Sequence, residues 1–596
     1  MAKLKLKLID SDYDTKPLSA STGLSDAAVR VLHNRGMNSR EEILGFLNYK
    51  PYQLRNVEEM KDADRFLSSL AAAVEQKKNI TIYGDYDGDG VMATMIWYMA
   101  LSKLGLKPAW FVNDRFREGY GMNAKGVARL LSQYPDTQVI VTCDNGIKAH
   151  EGIQEALDRG IEVLVSDHHG QSEGEELPVC PVVCEKRLDE DQSKAELFCG
   201  AELSRRLVTA LFRRLGVHRD HKTFLARLYA FSGLATVTDS ITMNAANHFV
   251  VREGLRQIGS EKDLCWQVLR EETKPSSIDQ DTIGFKYGPM INASGRVQGT
   301  VDAAMDVFLN SFWYEESKTA DDFSLERNPD ALAYAEKCRI AVQHLMDINE
   351  ERKKLSAEGD RIASIVVHAN GYDTKKFIVV DDERFEEGIN GLIAGHLTEQ
   401  YHVPSIALSP KDGEPDIYKG SARSVEGFNI FEVLNECRDI LLGFGGHPGA
   451  AGLSIRREDI PTLRGRLQDI AEKYVPEPEM TIPVDFILTP ETVSPRLAQE
   501  VNQLIPFGEG FTKPTVGFEG SIKEVRVLSN RHVKFTIDTS GTPLSIFWWN
   551  SIEKYKDMLK ECPEPKYLVC SGGTPTYRFE YGRLAAAIYA DDVYFR

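Results

Sequence analysis

The sequence lacks several features that would each place it in a well-defined class of proteins. Its apolar runs stay well short of the roughly 20 residues that span a bilayer. The first residues, MAKLKLKLIDSDYD, have neither an apolar signal core nor a small-residue cleavage site. Nine cysteines are scattered over 596 residues and form no dense disulfide framework. Cys180, Cys184 and Cys199 could supply part of a zinc site, but the loose spacing favours buried thiols. We therefore expect a cytoplasmic protein with reduced thiols and no membrane partner.

Positive charge is also scarce. Lys and Arg number 71 against 89 Asp and Glu, which gives a net charge of −18. This balance argues against a protein that coats nucleic acid through a generally basic surface. It is compatible with an enzyme that has a local basic groove, because phosphate contacts need Lys and Arg only along the track. A chain of 596 residues is expected to form three or four domains.

The region from residue 61 to about 242 alternates short apolar runs with helical patterns. The predicted strands are residues 80–83, 109–112, 139–143 and 163–166. Alternation at this spacing indicates βαβ units, and therefore a parallel sheet with helices on both faces.

The first of these strands leads into an acidic, glycine-rich turn, GDYDGDG. Asp85, Asp87 and Asp89 alternate there with other residues, and a helical pattern follows. Carboxylates this close repel one another unless a divalent cation lies among them, and oxygen ligands suit Mg²⁺ or Mn²⁺. The alternatives are a solvated acidic turn or a Ca²⁺ loop. The twelfth position of an EF-hand would fall on Ile96, where that loop needs a bidentate glutamate.

Polar residues also follow two later strands. Asp144 lies in DNG, Asp167, His168 and His169 lie in DHHG, and Asp239 follows a further apolar stretch. The carboxyl ends of parallel strands converge on one crevice, so these side chains are expected to meet. A mixed carboxylate–imidazole set suits Mn²⁺ as well as Mg²⁺. Two such ions about 3.5–4 Å apart commonly catalyse the hydrolysis of phosphate esters.

The ordered motifs DYDGDG, DNG and DHH with the later Asp239 resemble the DHH phosphoesterase superfamily. The segments NDRFREGYGM, MINASGRV, GSARSVEGFNI and GFGGHPGAAGLSI further resemble the RecJ-type single-strand-specific exonucleases, in the same order, from about residue 60 onward. The sequence departs from the family pattern at three places. Gly88 stands where the family often has alanine, Asn145 where cysteine is frequent, and Tyr83 where some relatives carry a histidine metal ligand. The last difference leaves the coordination of a second ion open.

This resemblance implies a metal-dependent 5′→3′ exonuclease that degrades single-stranded DNA to 5′-mononucleotides in DNA repair and recombination. One or two Mn²⁺ or Mg²⁺ ions would be held by Asp87, Asp89, Asp144, His168 and Asp239, with Asp144 bridging. His169 would stabilise charge on the phosphate oxygens, while Asp167 and Asp85 would orient a ligating histidine. The phosphate-binding residues would be Arg115, Arg296, Ser421, Arg423 and His447.

The resemblance also implies the fold class, which is α/β. A parallel-sheet DHH domain and a smaller α/β DHHA1 domain would be joined by a long helix, with a C-terminal β-barrel of the OB-fold type. The predicted boundaries are residues 1–60 for a helical preface, 61–245 for the DHH catalytic domain, 246–358 for a helical region with the connector, 359–478 for DHHA1 and 479–596 for the OB-fold. We expect a crevice-facing loop at 281–297, the long helix over 331–357, a strand at 363–368, and polar loops at 419–427 and 443–452.

The region after residue 480 is dominated by short strand patterns in which aromatic and basic residues interleave. The predicted strands are residues 481–488, 516–528, 532–537, 543–548, 567–571 and 585–595. The aromatic residues are Phe535, Trp548, Trp549, Tyr577, Phe579 and Tyr581, and the basic ones are Arg526, Arg531, Lys534, Arg578 and Arg583. This combination favours single-strand stacking on a small barrel, although strand alternation places about half of the aromatics in the core.

Two other functions are compatible with parts of the sequence. Smaller DHH relatives hydrolyse short oligoribonucleotides, cyclic dinucleotides or pyrophosphate, but they need neither a long connector nor an OB-like domain. A catalytically inactive scaffold would typically have lost the metal carboxylates, which are all present here. As partners of a monomeric enzyme we expect single-stranded DNA, a single-strand-binding protein and a helicase.

Overall fold

The computed structural model describes residues 5–172, 174–260, 262–318, 328–474, 481–539, 543–580 and 583–595. The chain divides into two compact units. The larger unit comprises Asn56–Asp239 and Glu253–Pro478, and the smaller unit comprises Met1–Arg55, Ser240–Arg252 and Glu479–Arg596. Within the described residues, we find no helix with the length and apolar character needed to cross a membrane.

The larger unit begins with a five-stranded parallel sheet, as the alternating pattern predicts. In spatial order its strands are Ala109–Val112, Ile80–Gly84, Val139–Cys143, Glu162–Ser166 and Val182–Val183. The helices of this region are Ala63–Glu75, Gly88–Lys103, Ala124–Gln133, His150–Asp158, Gly200–Arg214, Lys222–Arg227 and Tyr229–Thr238. The central strands are buried along their whole length, which explains why they are continuous apolar runs rather than alternating ones.

The glycine-rich segment at 281–297 is helical, so the predicted loop is wrong. It comprises Gln280–Thr282, a π-helical turn at Ile283–Tyr287 and the helix Gly288–Val297. Its glycines serve close packing: a Cβ at Gly295 would lie 2.6 Å from the backbone oxygen of Tyr86. Leu264–Thr273 and Asp302–Ser317 flank this segment, and Ala245–Gly259 precedes it.

The connector is a single helix of 42 residues, Pro329–Asn370. The predicted end near residue 357 and the predicted strand at 363–368 are therefore both wrong. Gly359 does not end the helix but lets it pack closely, since a Cβ there would lie 2.7 Å from Ile393 Cδ1. Ala363 and Val367 of the supposed strand are buried in the last turns, whereas Ile365 is exposed, and the helix ends at Gly371, which has φ +65°.

A second sheet of five strands follows in the larger unit. Its order is Leu441–His447, Ala450–Arg456, Glu414–Arg423, Ser405–Lys411 and Ile378–Asp381, with only the last pair parallel. Helices Asn390–Tyr401, Ile430–Glu436 and Ile460–Tyr474 pack around it. The predicted polar loops are in part strands, because Ser421 and Arg423 lie within one strand and His447 ends another.

The smaller unit is built on a closed barrel of five strands. Val516–Leu528, His532–Ile537, Leu544–Trp548, Arg583–Phe595 and Tyr567–Gly572 pair in this order, and the last pairs with the first. Phe486–Leu488 and Thr576–Glu580 extend the sheet, and Pro495–Asn502 and Ile552–Glu561 are helices. The N-terminal helices Lys16–Thr22, Asp26–Asn34 and Arg40–Leu47 belong to the same unit, where strand Lys5–Leu8 pairs with Thr481–Val484. A buried ion pair between Arg35 and Asp485 also joins them.

Candidate metal centre

The acidic motif lies at the carboxyl end of the first strand of the parallel sheet. Asp87 caps the helix Gly88–Lys103, because its Oδ1 accepts the N–H groups of Asp89 and Gly90, both at 3.0 Å. A Cβ at Gly90 would lie 2.5 Å from the backbone oxygen of Asp85, so glycine is needed there. The helix start therefore fixes the backbone that carries all three aspartates.

Asp144 lies at the end of the neighbouring strand, with its backbone in the left-handed region at φ +63°. Aspartate is one of the few residues that tolerate this conformation. Its N–H donates to the Ser166 carbonyl at 3.1 Å, which ties this strand end to the next. The buried Asp144 side chain is thereby directed towards His168, which follows the strand Glu162–Ser166.

His168 is the centre around which the carboxylates converge. Its Nε2 lies 2.9 Å from Asp144 Oδ1, 3.5 Å from Asp89 Oδ2 and 3.7 Å from Asp239 Oδ2. Donor atoms of Asp89, His168 and Asp239 lie within 4.8 Å of one another, and so do those of Asp85, Asp87 and Asp144. A third such group contains Asp144 with His168 and His169. Asp144 thus belongs to more than one group, as a bridging ligand would.

The electrostatics of this cluster call for a cation. Burial and the neighbouring carboxylates raise the pKa of Asp89 to about 6 and that of Asp239 to about 8. The same causes raise the pKa values of Asp85 and Asp144 well above the ordinary range. A divalent ion among these oxygens would remove the repulsion and stabilise the carboxylates. Oxygen donors with one imidazole fit Mn²⁺ or Mg²⁺.

Asp167 organises the two histidines. Its Oδ1 accepts the backbone N–H groups of His168 and His169 and lies 2.8 Å from His169 Nδ1. It therefore holds the ring of His169, whereas it reaches His168, the predicted ligand, through the backbone. Burial opposes the charged imidazole, but the ion pair with Asp167 outweighs it and raises the pKa of His169 to about 9. Burial, followed by the charge of His169, lowers the pKa of His168 to about 3, as suits a neutral ligand.

Three residues that the sequence links to possible metal binding, Tyr83, Cys184 and Cys199, have other roles. Tyr83 lies in the apolar core, where its hydroxyl donates to Asn113 Oδ1, so this side chain does not replace a histidine ligand. Cys184 donates its S–H to the His169 carbonyl at 3.3 Å, and Cys199 caps the helix that follows it. Within the described residues, the groups able to hold a metal contain no cysteine.

Tyr120 is a site residue that the sequence analysis missed. Its hydroxyl lies 3.2 Å from the ring nitrogens of His169 and 3.4 Å from the carbonyl oxygen of Asp144. The GYG motif contains the signal, because Gly119 and Gly121, both with positive φ, flank the tyrosine. Such a turn presents one side chain at a tight bend.

Three of the predicted phosphate-binding residues converge near the cluster. Burial, followed by the charges of Arg115, Arg423 and Arg352, lowers the pKa of Arg296 to about 10. Burial and the charge of Arg115 likewise lower the pKa of Arg423. Arg115 also lies over the ring of Tyr86, at 4.9 Å from its centroid. Buried cations that lie close together indicate a site for an anion. Arg352, on the connector helix, was not predicted to belong to this group.

Ser421 and His447 border the same region. A Cβ added at Gly391 would lie 2.9 Å from Arg423 Nη2 and 3.5 Å from Ser421 Oγ, so glycine leaves space beside these groups. Burial and then the charges of Arg423, Lys186 and His169 lower the pKa of His447. His447 therefore lies within electrostatic reach of Arg423 and of His169.

The barrel of the smaller unit carries an exposed aromatic surface. The rings of Phe547, Trp549 and Tyr589 stack nearly in parallel, with centroids 5.7–6.4 Å apart. Trp549 is 49% exposed and Tyr589 40%, and the Lys534 ammonium lies 5.1 Å from the centroid of the Phe547 ring. Of the predicted aromatics, Trp549 is confirmed at the surface. Phe535 and Trp548 are core residues, and Tyr577 packs partly buried against that core. The side chains of Arg578, Phe579, Tyr581 and Arg583 lie outside the described residues.

The parallel sheet and its carboxylate–imidazole cluster define a metal-dependent phosphoesterase of the DHH class. Residues 79–230 match the DHH family, N-terminal domain, residues 374–473 match the DHHA1 domain, and residues 484–570 match the RecJ OB domain. The chain is 30% identical over 564 residues to the single-stranded-DNA-specific exonuclease RecJ of Bacillus subtilis, covering 93% of this chain and 66% of that relative. It is 25% identical over 544 residues to RecJ of Escherichia coli, covering 86% of each.

Solved structures agree with these sequence matches. RecJ from Thermus thermophilus in complex with Mn²⁺ has a TM-score of 0.77 at 23% identity, covering 99% of this chain and 79% of that one. An exonuclease RecJ bound to manganese has a TM-score of 0.55 at 26% identity, covering 70% of this chain and 96% of that one. The chain belongs to the RecJ family.

Proposed function

We propose that this chain is a metal-dependent exonuclease that hydrolyses single-stranded DNA from its 5′ end to 5′-mononucleotides, in DNA repair and recombination. The observation that carries the proposal is the convergence of Asp89, Asp144 and Asp239 on His168 Nε2, beside a group of closely spaced arginines. Members of the family are named single-stranded-DNA-specific exonucleases, which supports the choice of substrate.

The chain's donors for one or two Mn²⁺ or Mg²⁺ ions are Asp87, Asp89, Asp144, His168 and Asp239. Asp144 belongs to one donor group with Asp85 and Asp87 and to another with His168 and His169, which supports a bridging role. When bound, such an ion polarises the phosphate and lowers the pKa of the attacking water. Asp85 belongs to one of these donor groups, so we propose that it lies among the metal ligands and does not serve to orient a histidine.

His169 is the residue best placed to stabilise charge on the phosphate. Its raised pKa keeps the imidazole protonated near neutral pH, and Asp167 holds the ring in one orientation. A preorganised cation beside the scissile group interacts more strongly with the charge that develops in the transition state than with the ground state. Tyr120 contacts the same ring and would limit its rotation.

The arginines would bind the strand itself. Arg115, Arg296 and Arg423 would contact phosphates, including that of the 5′ end, with help from Ser421 and His447. Guanidinium groups suit this role because they donate two parallel hydrogen bonds to phosphate oxygens. On the barrel, the exposed rings of Trp549 and Tyr589, which stack on the buried Phe547, would provide stacking surfaces for bases, which a hydrolase of small molecules would not need.

We further propose that the enzyme acts in the cytoplasm as a monomer, together with a single-strand-binding protein and a helicase. All nine cysteines are free thiols, which supports a reducing compartment. The assignment of these partners follows from the family resemblance.

The test is digestion of an oligonucleotide labelled at its 3′ end, as a single strand and as a duplex, with Mn²⁺, with Mg²⁺ and with chelator. We expect metal-dependent shortening of the single strand from its 5′ end. Asp144→Ala should abolish it, and Asp136→Ala, at an exposed aspartate, should not. Single-strand binding without cleavage in any metal would instead make the protein a scaffold, and cleavage confined to very short oligomers would indicate the small-substrate branch.

A further inference from the structure

Asp89 is held by a helix that begins 111 positions later in the chain. The N–H of Gly200 donates to Asp89 Oδ2 at 2.6 Å, and the N–H of Ala201 donates to Oδ1 at 2.7 Å. These are the first two amides of the helix Gly200–Arg214, and the first amides of any helix lack partners within it. Both carboxylate oxygens are therefore tied to rigid backbone, which fixes the plane of the carboxylate.

The oxygen that accepts from Gly200 also faces the metal centre. Asp89 Oδ2 lies 3.5 Å from His168 Nε2, and Asp89, His168 and Asp239 form one of the donor groups. The partial positive charge at the start of a helix favours a carboxylate there. The helix thus supports the ionised ligand while it leaves one side of Oδ2 directed towards the other donors.

Gly200 also sets the distance to a second ligand. A Cβ at this position would lie 2.7 Å from Asp144 Cβ and 2.9 Å from Asp144 Cα, closer than real contacts allow. Position 200 therefore touches two metal-binding aspartates at once, Asp89 through its N–H and Asp144 through its α-carbon. A larger residue would have to displace one of them.

We infer that the first turn of the helix Gly200–Arg214 positions the metal centre. The amides of Gly200 and Ala201 orient Asp89, and the missing side chain of Gly200 sets the approach of Asp144. Both are positioning residues, because they act through the carboxylates and not on the substrate. The inference rests on the proposed metal-dependent function and adds the backbone groups on which metal affinity depends.

Ala201→Pro tests the inference by removing one of the two N–H groups. Proline is tolerated in the first turn of a helix, and this chain already has Pro289 as the second residue of the helix Gly288–Val297. We expect the Mn²⁺ dissociation constant, measured without substrate from the EPR signal of free Mn²⁺, to rise about 10–100-fold. Saturating Mn²⁺ should restore most of the cleavage rate. Thr223→Pro, at the second residue of the helix Lys222–Arg227, is the matched control and should leave the affinity unchanged.

A second variant guards against misfolding of the first. Replacement of Ala201 by lactic acid turns the Gly200–Ala201 amide into an ester, which removes the same N–H and adds no bulk. A folded variant of either kind that binds Mn²⁺ as tightly as the wild type overturns the inference. A wild-type protein that neither binds Mn²⁺ nor cleaves single strands overturns the proposed function and the inference with it. A wild type that does both, beside a variant of unchanged affinity, refutes the positioning role alone.

Discussion

His248 should make the stability of the smaller unit depend on pH. Its side chain is buried, between the rings of Phe46 at 4.5 Å and Phe511 at 5.9 Å. Its Nε2 lies 3.2 Å from the carbonyl oxygen of Leu504, so Nε2 carries the proton of the neutral ring and donates it. Burial outweighs this hydrogen bond and lowers the pKa of His248 to about 4.

The sign and size of the effect follow from the two states. The unfolded chain takes up a proton at the ordinary pKa of 6.5, whereas the folded unit does so only at about 4. The stability contribution of the neutral histidine is therefore complete above pH 6.5 and is lost as the pH falls towards 4. At about 1.36 kcal/mol per pH unit, the full loss is about 3.4 kcal/mol, and about 1.4 kcal/mol of it is reached by pH 5.5.

Hydrogen exchange followed by mass spectrometry measures this effect within one unit of the chain. Barrel peptides of the wild type, corrected for the intrinsic pH dependence of exchange, should lose protection between pH 6.5 and 5.5. His248→Gln keeps a hydrogen-bond donor but does not titrate, so its protection should fall less over the same range. His532→Gln, on the barrel surface, is the matched control and should behave as the wild type. Equal pH dependence in the wild type and His248→Gln would refute the argument.

Three further predictions concern the site and the barrel. Tyr120→Phe removes the hydroxyl next to His169. Because one hydrogen bond is worth about 1 kcal/mol, kcat should fall about 5–10-fold in steady-state assays, with KM unchanged. An unchanged kcat would show that the contact has no catalytic role. Arg296→Lys replaces a bidentate hydrogen-bond donor with a point charge, so it should lower kcat/KM for 5′-phosphorylated strands about 10-fold or more. An equal loss on strands with a 5′-hydroxyl would argue against a contact to the terminal phosphate. Trp549→Ala should weaken single-strand binding by about 1–3 kcal/mol in fluorescence anisotropy without changing the unfolding temperature. Phe535→Ala should instead destabilise the barrel by about 3–5 kcal/mol in calorimetry. If Trp549→Ala destabilised the barrel and Phe535→Ala only weakened binding, the assignment of Trp549 to the surface and Phe535 to the core would be wrong.

The local sequence pattern predicted the secondary structure well wherever it was compatible with only one kind of element. Four of the five parallel strands and most barrel strands agree with their predicted bounds to within one or two residues, because buried or alternating runs between turns are distinctive, whereas the two-residue strand Val182–Val183 was not predicted. The errors share a cause. Glycines at 281–297 and at Gly359 suggested loops or ends, but they provide space for neighbouring helices. The apolar run at 363–368 fits a strand as well as a helix, and packing within the 42-residue helix decided it.

The site divides in the same way. The order of the motifs predicted that these aspartates and histidines meet. Parallel strands bring most of them to one edge of the sheet, whereas Asp239 reaches the same place from the end of the helix Tyr229–Thr238. The roles of the individual residues within the cluster could not be predicted from the sequence alone. Asp167 holds His169 rather than His168, and Asp85 lies among the donors, because these relations depend on side-chain directions at each strand end.

Local spacing along the chain was sufficient to predict the residue types of the metal centre, the strands that carry most of them and the class of chemistry. Long-range packing, by contrast, brings Tyr120 to His169 and Arg352 to the other arginines, and it exposes Trp549 while it buries Trp548. It also decided that Asp89 is held by amides 111 positions away. Contacts between residues so distant in the chain leave no local pattern, because packing forms them after each segment has adopted its own structure.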